Sequence, residues 1–235
     1  REATDIDVRF VVPDGWGVST PWSADLERPT SFRVRDTREL LNSAFFAGTP
    51  RTSTVEIEGL EARFALGGEG LGAHETTFVS LVRRYLEGYR DLFGTSPRAR
   101  LLVIASDHDY WSGGVLGRTI SVVAGDPPSD ANKGLWVHLF AHELLHLWTA
   151  ELRLAEERPG NLEWFKEGFA EYFAYLYELR AGDLPEAAFL DLLADRYTKY
   201  LAARPGGSIA AAGADKFEHY DLVYSGGMMA ALALD

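Results

Sequence analysis

The chain has 235 residues, is 46% hydrophobic and 25% charged, and carries a formal net charge of −12, which suits one large or two modest domains with a real core. With 35 acidic against 23 basic residues, a nucleic acid is excluded as the main partner, because phosphate binding needs a basic face. The lack of cysteine rules out disulfides, thiolate metal sites and a cysteine nucleophile, and no apolar run approaches the roughly 18 residues of a membrane span.

The chain begins at Arg1 without an initiator methionine and stops at Asp235 inside an apolar helical pattern. We therefore expect a processed or excised piece of a longer protein. Residues 6–12 alternate like a strand, and Pro13-Asp14-Gly15 marks a turn. Residues 32–34, 54–57 and 63–66 read as further strands, with a short helix over 38–46. Gly67-Gly68-Glu69-Gly70 reads as a linker. From residue 75 to 93 the period changes: Phe78, Val82, Tyr85, Tyr89 and Leu92 recur every three or four residues, an amphipathic helix that Gly94 and Pro97 end.

Residues 100–105 form a buried strand, 106–114 a polar, glycine-rich loop, and 115–124 a second strand. Thereafter the pattern is helical: about 133–152, 162–181, a helix after Asp183 with Pro185 in its first turn and Glu186 as a capping-box partner, and a last helix from near Tyr224. Strands followed by helices define an α+β plan. We expect a β-rich segment over 1–70 and a mainly helical domain with a small sheet over 71–235.

Chemistry concentrates in His142-Glu143-Leu144-Leu145-His146. Positions i and i+4 share a helix face, so His142 and His146 can aim two imidazoles at one metal ion, with Glu143 beside them as general base. A catalytic zinc takes three protein ligands and keeps an open position. Glu167, 21 residues after His146, supplies the third: its setting is apolar on both sides, where a carboxylate is costly unless paired or coordinating. Gly168 lets another helix come close.

Glu163, Glu167 and Glu171 form an i, i+4, i+8 stripe, and Glu171 is a candidate hydrogen-bond partner for a ligating histidine. His138, one turn before His142, is followed by Leu139, offers no base, and reads as a helix-face or supporting histidine. His74, His108 and His219 have no ligand spacing, although His219 could line a cleft near Tyr224. One zinc ion is the expected cofactor and a peptide or protein the expected partner. Gly113, Gly114 and Val115 begin a stretch, to Val122, whose open backbone can pair with an extended peptide. Arg118 reads as a surface arginine or a partner for a substrate carboxylate.

HELLHLW followed by WFKEGFAEYF resembles the gluzincin metallopeptidases, and within them most closely the glycyl aminopeptidase family, whose members often carry a PDZ domain. Trp148, the segment from Trp164 to Tyr172, and Val223-Tyr224-Ser225-Gly226-Gly227 match that family's pattern. The N-terminal VVPDGWGVSTPW matches the end of its β-domain more loosely. The resemblance implies a thermolysin-like, mainly helical zinc-peptidase domain, truncated here at its C-terminus. It implies that Tyr224 stabilises the oxyanion, as a neutral phenol donor can; Tyr220 competes for that role. One departure stands out. The glutamate that binds the substrate's free amino group in related aminopeptidases falls at Leu116, which cannot pair with an ammonium. That puts aminopeptidase specificity in question and leaves a zinc-stabilised, non-catalytic peptide-binding module as the alternative.

Overall fold

The computed structural model describes residues 3–24, 27–57, 59–95, 100–149 and 160–235. Two compact units divide at Lys133/Gly134. The first opens with β1 (Thr4–Arg9), β2 (Gly17–Ser19), β3 (Ser23–Ala24), β4 (Ser31–Asp36), α1 (Thr37–Leu41) and β5 (Phe46–Gly48). Strands β1, β4 and β3 form an antiparallel sheet with β4 in the middle. Alternation in β4 buries Phe32 and Val34, which pack with Trp22. Strands β2 and β5 pair separately.

The helix expected over 38–46 is shorter. Asp36 caps its start by accepting from the Glu39 amide. At the other end the Asn42 and Ser43 side chains hydrogen-bond the carbonyls of Arg38 and Glu39. This local competition with the helix ladder frees Phe46 to enter β5.

The larger sheet has the order β6 (Arg51–Ile57), β7 (Leu60–Leu66), β8 (Leu101–Asp107), β10 (Thr119–Ala124), β9 (Ser112–Leu116). Strands β7, β8 and β10 are mutually parallel; β6 and β9 run antiparallel at the edges. A parallel neighbour requires a crossover. It is supplied by α2 (Glu69–Gly72) and α3 (Glu75–Phe93), the latter ending on Gly94 in the left-handed region at φ 69°. Phe78, Val82, Tyr85 and Tyr89 of α3 are buried, as their period requires. Residues 101–105 of β8 are buried without alternation, the pattern of a strand covered on both faces. The segment expected as a linker leads from β7 into α2, and the sheet takes strands from both sides of residue 70. Pro97 lies outside the described residues.

The single strand expected over 115–124 is a hairpin instead. Gly117, at φ 58°, turns the chain, so Ser112–Leu116 becomes the edge strand and residues 112–114 are not loop. A Cβ at Gly117 would also meet the Asn42 carbonyl at 2.1 Å.

The second unit is helical: α4 (Lys133–Thr149, its expected extension to 152 lying outside the described residues), α5 (Glu163–Ala181), α6 (Glu186–Ala203), α7 (Ile209–Ala212), a π-helical turn at Asp221–Ser225, and α8 (Gly226–Leu234). Pro185 itself occupies the N-cap of α6 and makes no side-chain cap, so the expected capping box is not formed. The core beside α5 gathers Tyr172, Tyr175, Phe189, Met228 and Ala231. The whole is α+β, with a β-rich N-terminal part and a helical C-terminal part. Among the described residues no helix is long and apolar enough to cross a membrane.

Phe64, in β7 near the middle of the large sheet, is 1% exposed. Phe64→Ala should cost about 3–5 kcal/mol, read as a lower denaturant midpoint with an unchanged slope.

Candidate metal centre

Helix α4 is apolar nearly all round, the composition of a buried helix. Trp136, Val137, Phe140, Leu144 and Leu145 are all buried. Its polar groups are therefore confined to one inward stripe. His142 Nε2 and His146 Nε2 lie 3.1 Å apart. Glu167 Oε2 of α5 lies 3.2 Å from the first and 3.5 Å from the second. The three donors form one of two groups among the described residues that could hold a metal ion. Zinc–nitrogen and zinc–oxygen distances of about 2.0–2.1 Å in a tetrahedron put ligand atoms about 3.3–3.4 Å apart. A triangle of 3.1, 3.2 and 3.5 Å thus fits a zinc-sized ion.

The other oxygen of Glu167 is occupied. Lys216 Nζ donates to Oε1 at 2.6 Å and to Glu163 Oε2 at 2.9 Å, leaving Oε2 to face the histidines. Burial opposes the charged form of Glu167, but His142 and His146 outweigh it and hold the carboxyl well below its usual range. Burial likewise opposes a charged His142, yet Glu167 and Glu171 raise it to about 10. Metal binding must displace such a proton.

Glu143 is 6% exposed. Burial raises its pKa above the usual carboxylate value, and His142 and His146 partly offset the rise. A raised pKa makes this carboxylate a stronger base than an exposed glutamate, as a proton acceptor requires.

Behind the donors lies the second potential metal group, His138, His142 and Glu171. Glu171 Oε2 is 3.5 Å from His142 Nδ1 and 2.7 Å from His138 Nε2. A carboxylate at Nδ1 favours the tautomer whose Nε2 lone pair is free for a metal. His138 also hydrogen-bonds Glu178 through Nδ1 at 2.8 Å and stacks on Tyr175 at 3.8 Å. It therefore supports the cluster from behind. Arg196 donates to Glu171 Oε1 at 2.9 Å.

Tyr224 sits in the π-helical turn, a form that often occurs at functional positions. Its ring lies 6.3 Å from that of His142 and stacks on Tyr220 at 4.1 Å. Burial first, then the Glu167 carboxylate, push the phenol far above its ordinary range, so it remains a neutral donor.

Two glycines fix where that tyrosine stands. A Cβ on Gly168 would fall 2.2 Å from the Gly227 carbonyl carbon, and one on Gly227 would fall 2.1 Å from the Trp164 oxygen. Helix α5 and the start of α8 therefore touch backbone to backbone. The Glu-Gly and Tyr-Ser-Gly-Gly signatures are two sides of one contact.

Gly113, Gly114 and Val115 belong to the first compact unit, on edge strand β9, where both glycines are exposed. The peptide-pairing stretch expected to reach Val122 is shorter: β10 is bonded to β8 and β9 on its two sides, so of these two strands β9 is the one at the sheet's edge. Leu116 is 41% exposed, and Arg118 pairs with Glu39. His74 stands at the N-cap of α3, His108 pairs with Asp109, and His219 is exposed. Sequence reasoning missed Lys216, Arg196 and Glu178. The one available signal was the acidic stripe of α5, since buried carboxylates demand cations without saying which.

Both the stretch of sequence that carries the site and the fold as a whole have likenesses among the aminopeptidases. Residues 136–226 match the M61 glycyl aminopeptidase family model, a stretch that includes the candidate ligands, Glu143 and Tyr224. The chain is also similar to the crystal structure of an aminopeptidase N family protein from Idiomarina loihiensis, with a TM-score of 0.80 and 18% identity. That likeness covers 99% of this chain but 46% of the other, so the chain spans a little under half of that relative. No match was found among curated proteins.

Gly168→Ala should force α5 and α8 apart, costing about 3 kcal/mol or more. Thermal unfolding should register the loss, and metal retention by the folded fraction should fall with it as Glu167 and Tyr224 shift.

Proposed function

We propose that the protein is a zinc-dependent peptidase that hydrolyses peptide bonds with Glu143 as general base. The observation that carries this reading is the convergence of His142, His146 and Glu167 within 3.5 Å of one another, beside a buried glutamate that packing alone does not require. When bound, zinc supplies a Lewis acid that polarises the scissile carbonyl and acidifies water. Glu143 accepts the proton of the attacking water and returns it to the leaving amine. Tyr224, kept protonated by its buried setting beside Glu167, donates a hydrogen bond to the developing oxyanion. Glu171 faces the Nδ1 side of His142, so that the neutral ring carries its proton there and offers Nε2 as a lone pair. On this reading the metal chemistry belongs to the helical unit from Gly134, and Gly113, Gly114 and Val115, on the edge strand β9 of the first unit, are a proposed place for an extended peptide to pair.

The related families are named for aminopeptidases, and by the resemblance their amine-binding acid falls at position 116, which is leucine here. An apolar side chain at that edge does not select a free N-terminus, so we propose peptide-bond cleavage without strict dependence on one. The second reading, a zinc-stabilised peptide-binding module without turnover, draws on the same leucine and is opposed by Glu143.

Turnover of a panel of free and N-blocked peptides, with metal content measured, separates these readings. Cleavage of blocked peptides supports the proposal; strict need for a free amine overturns its specificity, and binding without cleavage favours the module. Glu143→Gln should retain zinc while turnover falls about 10²–10⁴-fold; a fully active variant would sink the base assignment. Glu167→Ala should lower zinc occupancy, leaving two protein ligands where a catalytic site needs three, as metal analysis after dialysis will show.

A further inference from the structure

We propose that Arg196 of α6 is a positioning residue that keeps the imidazole of His142 and the phenol of Tyr224 in register with each other; the inference rests on the metal-centre reading of His142, His146 and Glu167. Its guanidinium donates to Glu171 Oε1 at 2.9 Å. A carboxylate is planar, so fixing Oε1 fixes the direction of Oε2. That second oxygen lies between His138 Nε2 at 2.7 Å and His142 Nδ1 at 3.5 Å. Glu171 is 3% exposed and needs a counter-charge at that depth. His138 cannot supply all of it, because the same imidazole also serves Glu178. Arg196 carries a permanent charge on a rigid fork.

The guanidinium also lies close enough to Tyr175 and Tyr220 to act electrostatically on both hydroxyls. Tyr175 stacks on His138, and Tyr220 stacks on Tyr224 at 4.1 Å with 14° between planes. One side chain thus reaches the ligand side of the site through Glu171 and the oxyanion side through Tyr220. A group that only pinned α6 to α5 would not need to act on Tyr220.

The test compares wild type with R196M, R196K and E171Q, each checked for folding by circular dichroism and thermal unfolding. Co2+ is loaded in place of Zn2+, and its visible absorption reports ligand geometry. Competition with a chelator reports Zn2+ retention. Long-range 1H–15N spectra of the metal-free protein, recorded above the His142 pKa of about 10 where the ring is neutral, report its tautomer, and side-chain spectra report the Tyr224 ring. In R196M, Zn2+ retention should weaken about tenfold or more, the Co2+ band should change, and His142 should lose its Nδ1–H preference. E171Q should reproduce the His142 change and shift the Tyr224 ring signals less than R196M does, since Arg196 acts on Tyr220 as well as on Glu171. R196K should recover part of the loss by keeping the charge without the fork, and it carries the same readouts if R196M does not fold.

Wild-type Zn2+ retention, Co2+ band and His142 tautomer in the folded arginine variants would overturn the inference, however far their melting temperatures fall. Wild-type protein that retains neither ion would overturn the metal reading instead, and the tautomer and ring signals would still decide the role of Arg196.

Discussion

The helical unit depends on a set of carboxylates that α5 takes out of water. Glu167, Glu171 and Glu178 are all buried, and a buried carboxylate persists only where something answers its charge. His142 and His146 answer Glu167 from α4, and Lys216 answers it from the chain before the π-helical turn. His138 answers Glu171 and Glu178, and Arg196 answers Glu171 from α6. The positions of three helices and a loop are therefore set relative to one electrostatic spine. The same spine leaves one carboxylate oxygen and two imidazole nitrogens facing a common point.

Close packing adds a steric constraint to that electrostatic one. The backbone contact between Gly168 and Gly227 sits one residue from Glu167 and three from Tyr224. A candidate ligand and a candidate oxyanion donor are thus fixed by helix–helix contact and not by loops. Rigid elements hold a site more closely than mobile ones do. The π-helical turn at Asp221–Ser225 belongs to the same arrangement, since it presents Tyr224 beside His142 while Gly226 and Gly227 continue into α8.

In the β-rich unit the informative feature is an edge. Strand β9 is short, glycine-containing and exposed, and it runs antiparallel on an otherwise parallel centre. Unpaired backbone groups on such a strand are available to another extended chain. Sequence patterning merged β9 and β10 into one strand because Val115 to Ala124 has apolar residues on both sides of Gly117-Arg118. Hydrophobic content carries no mark of a reversal. The turn depends on Gly117 in the left-handed region and on its close fit against Asn42.

The sequence by itself determined what depends on helical period and side-chain chemistry. His142 and His146 share a face because four residues make about one turn, and Glu143 follows from its place beside them. Glu167 was legible from an acid in apolar surroundings followed by a glycine, and α3 from the spacing of Phe78, Val82, Tyr85 and Tyr89. Tertiary structure alone decided which oxygen of Glu167 faces the histidines, because Lys216 takes the other from 49 residues away. It alone placed Arg196 between Glu171 and the tyrosines, and cut the expected helix after Leu41. These are contacts between elements distant in the chain, or local bonds competing with a helix. Periodicity describes one element's face and says nothing of what the neighbouring element will bring to it.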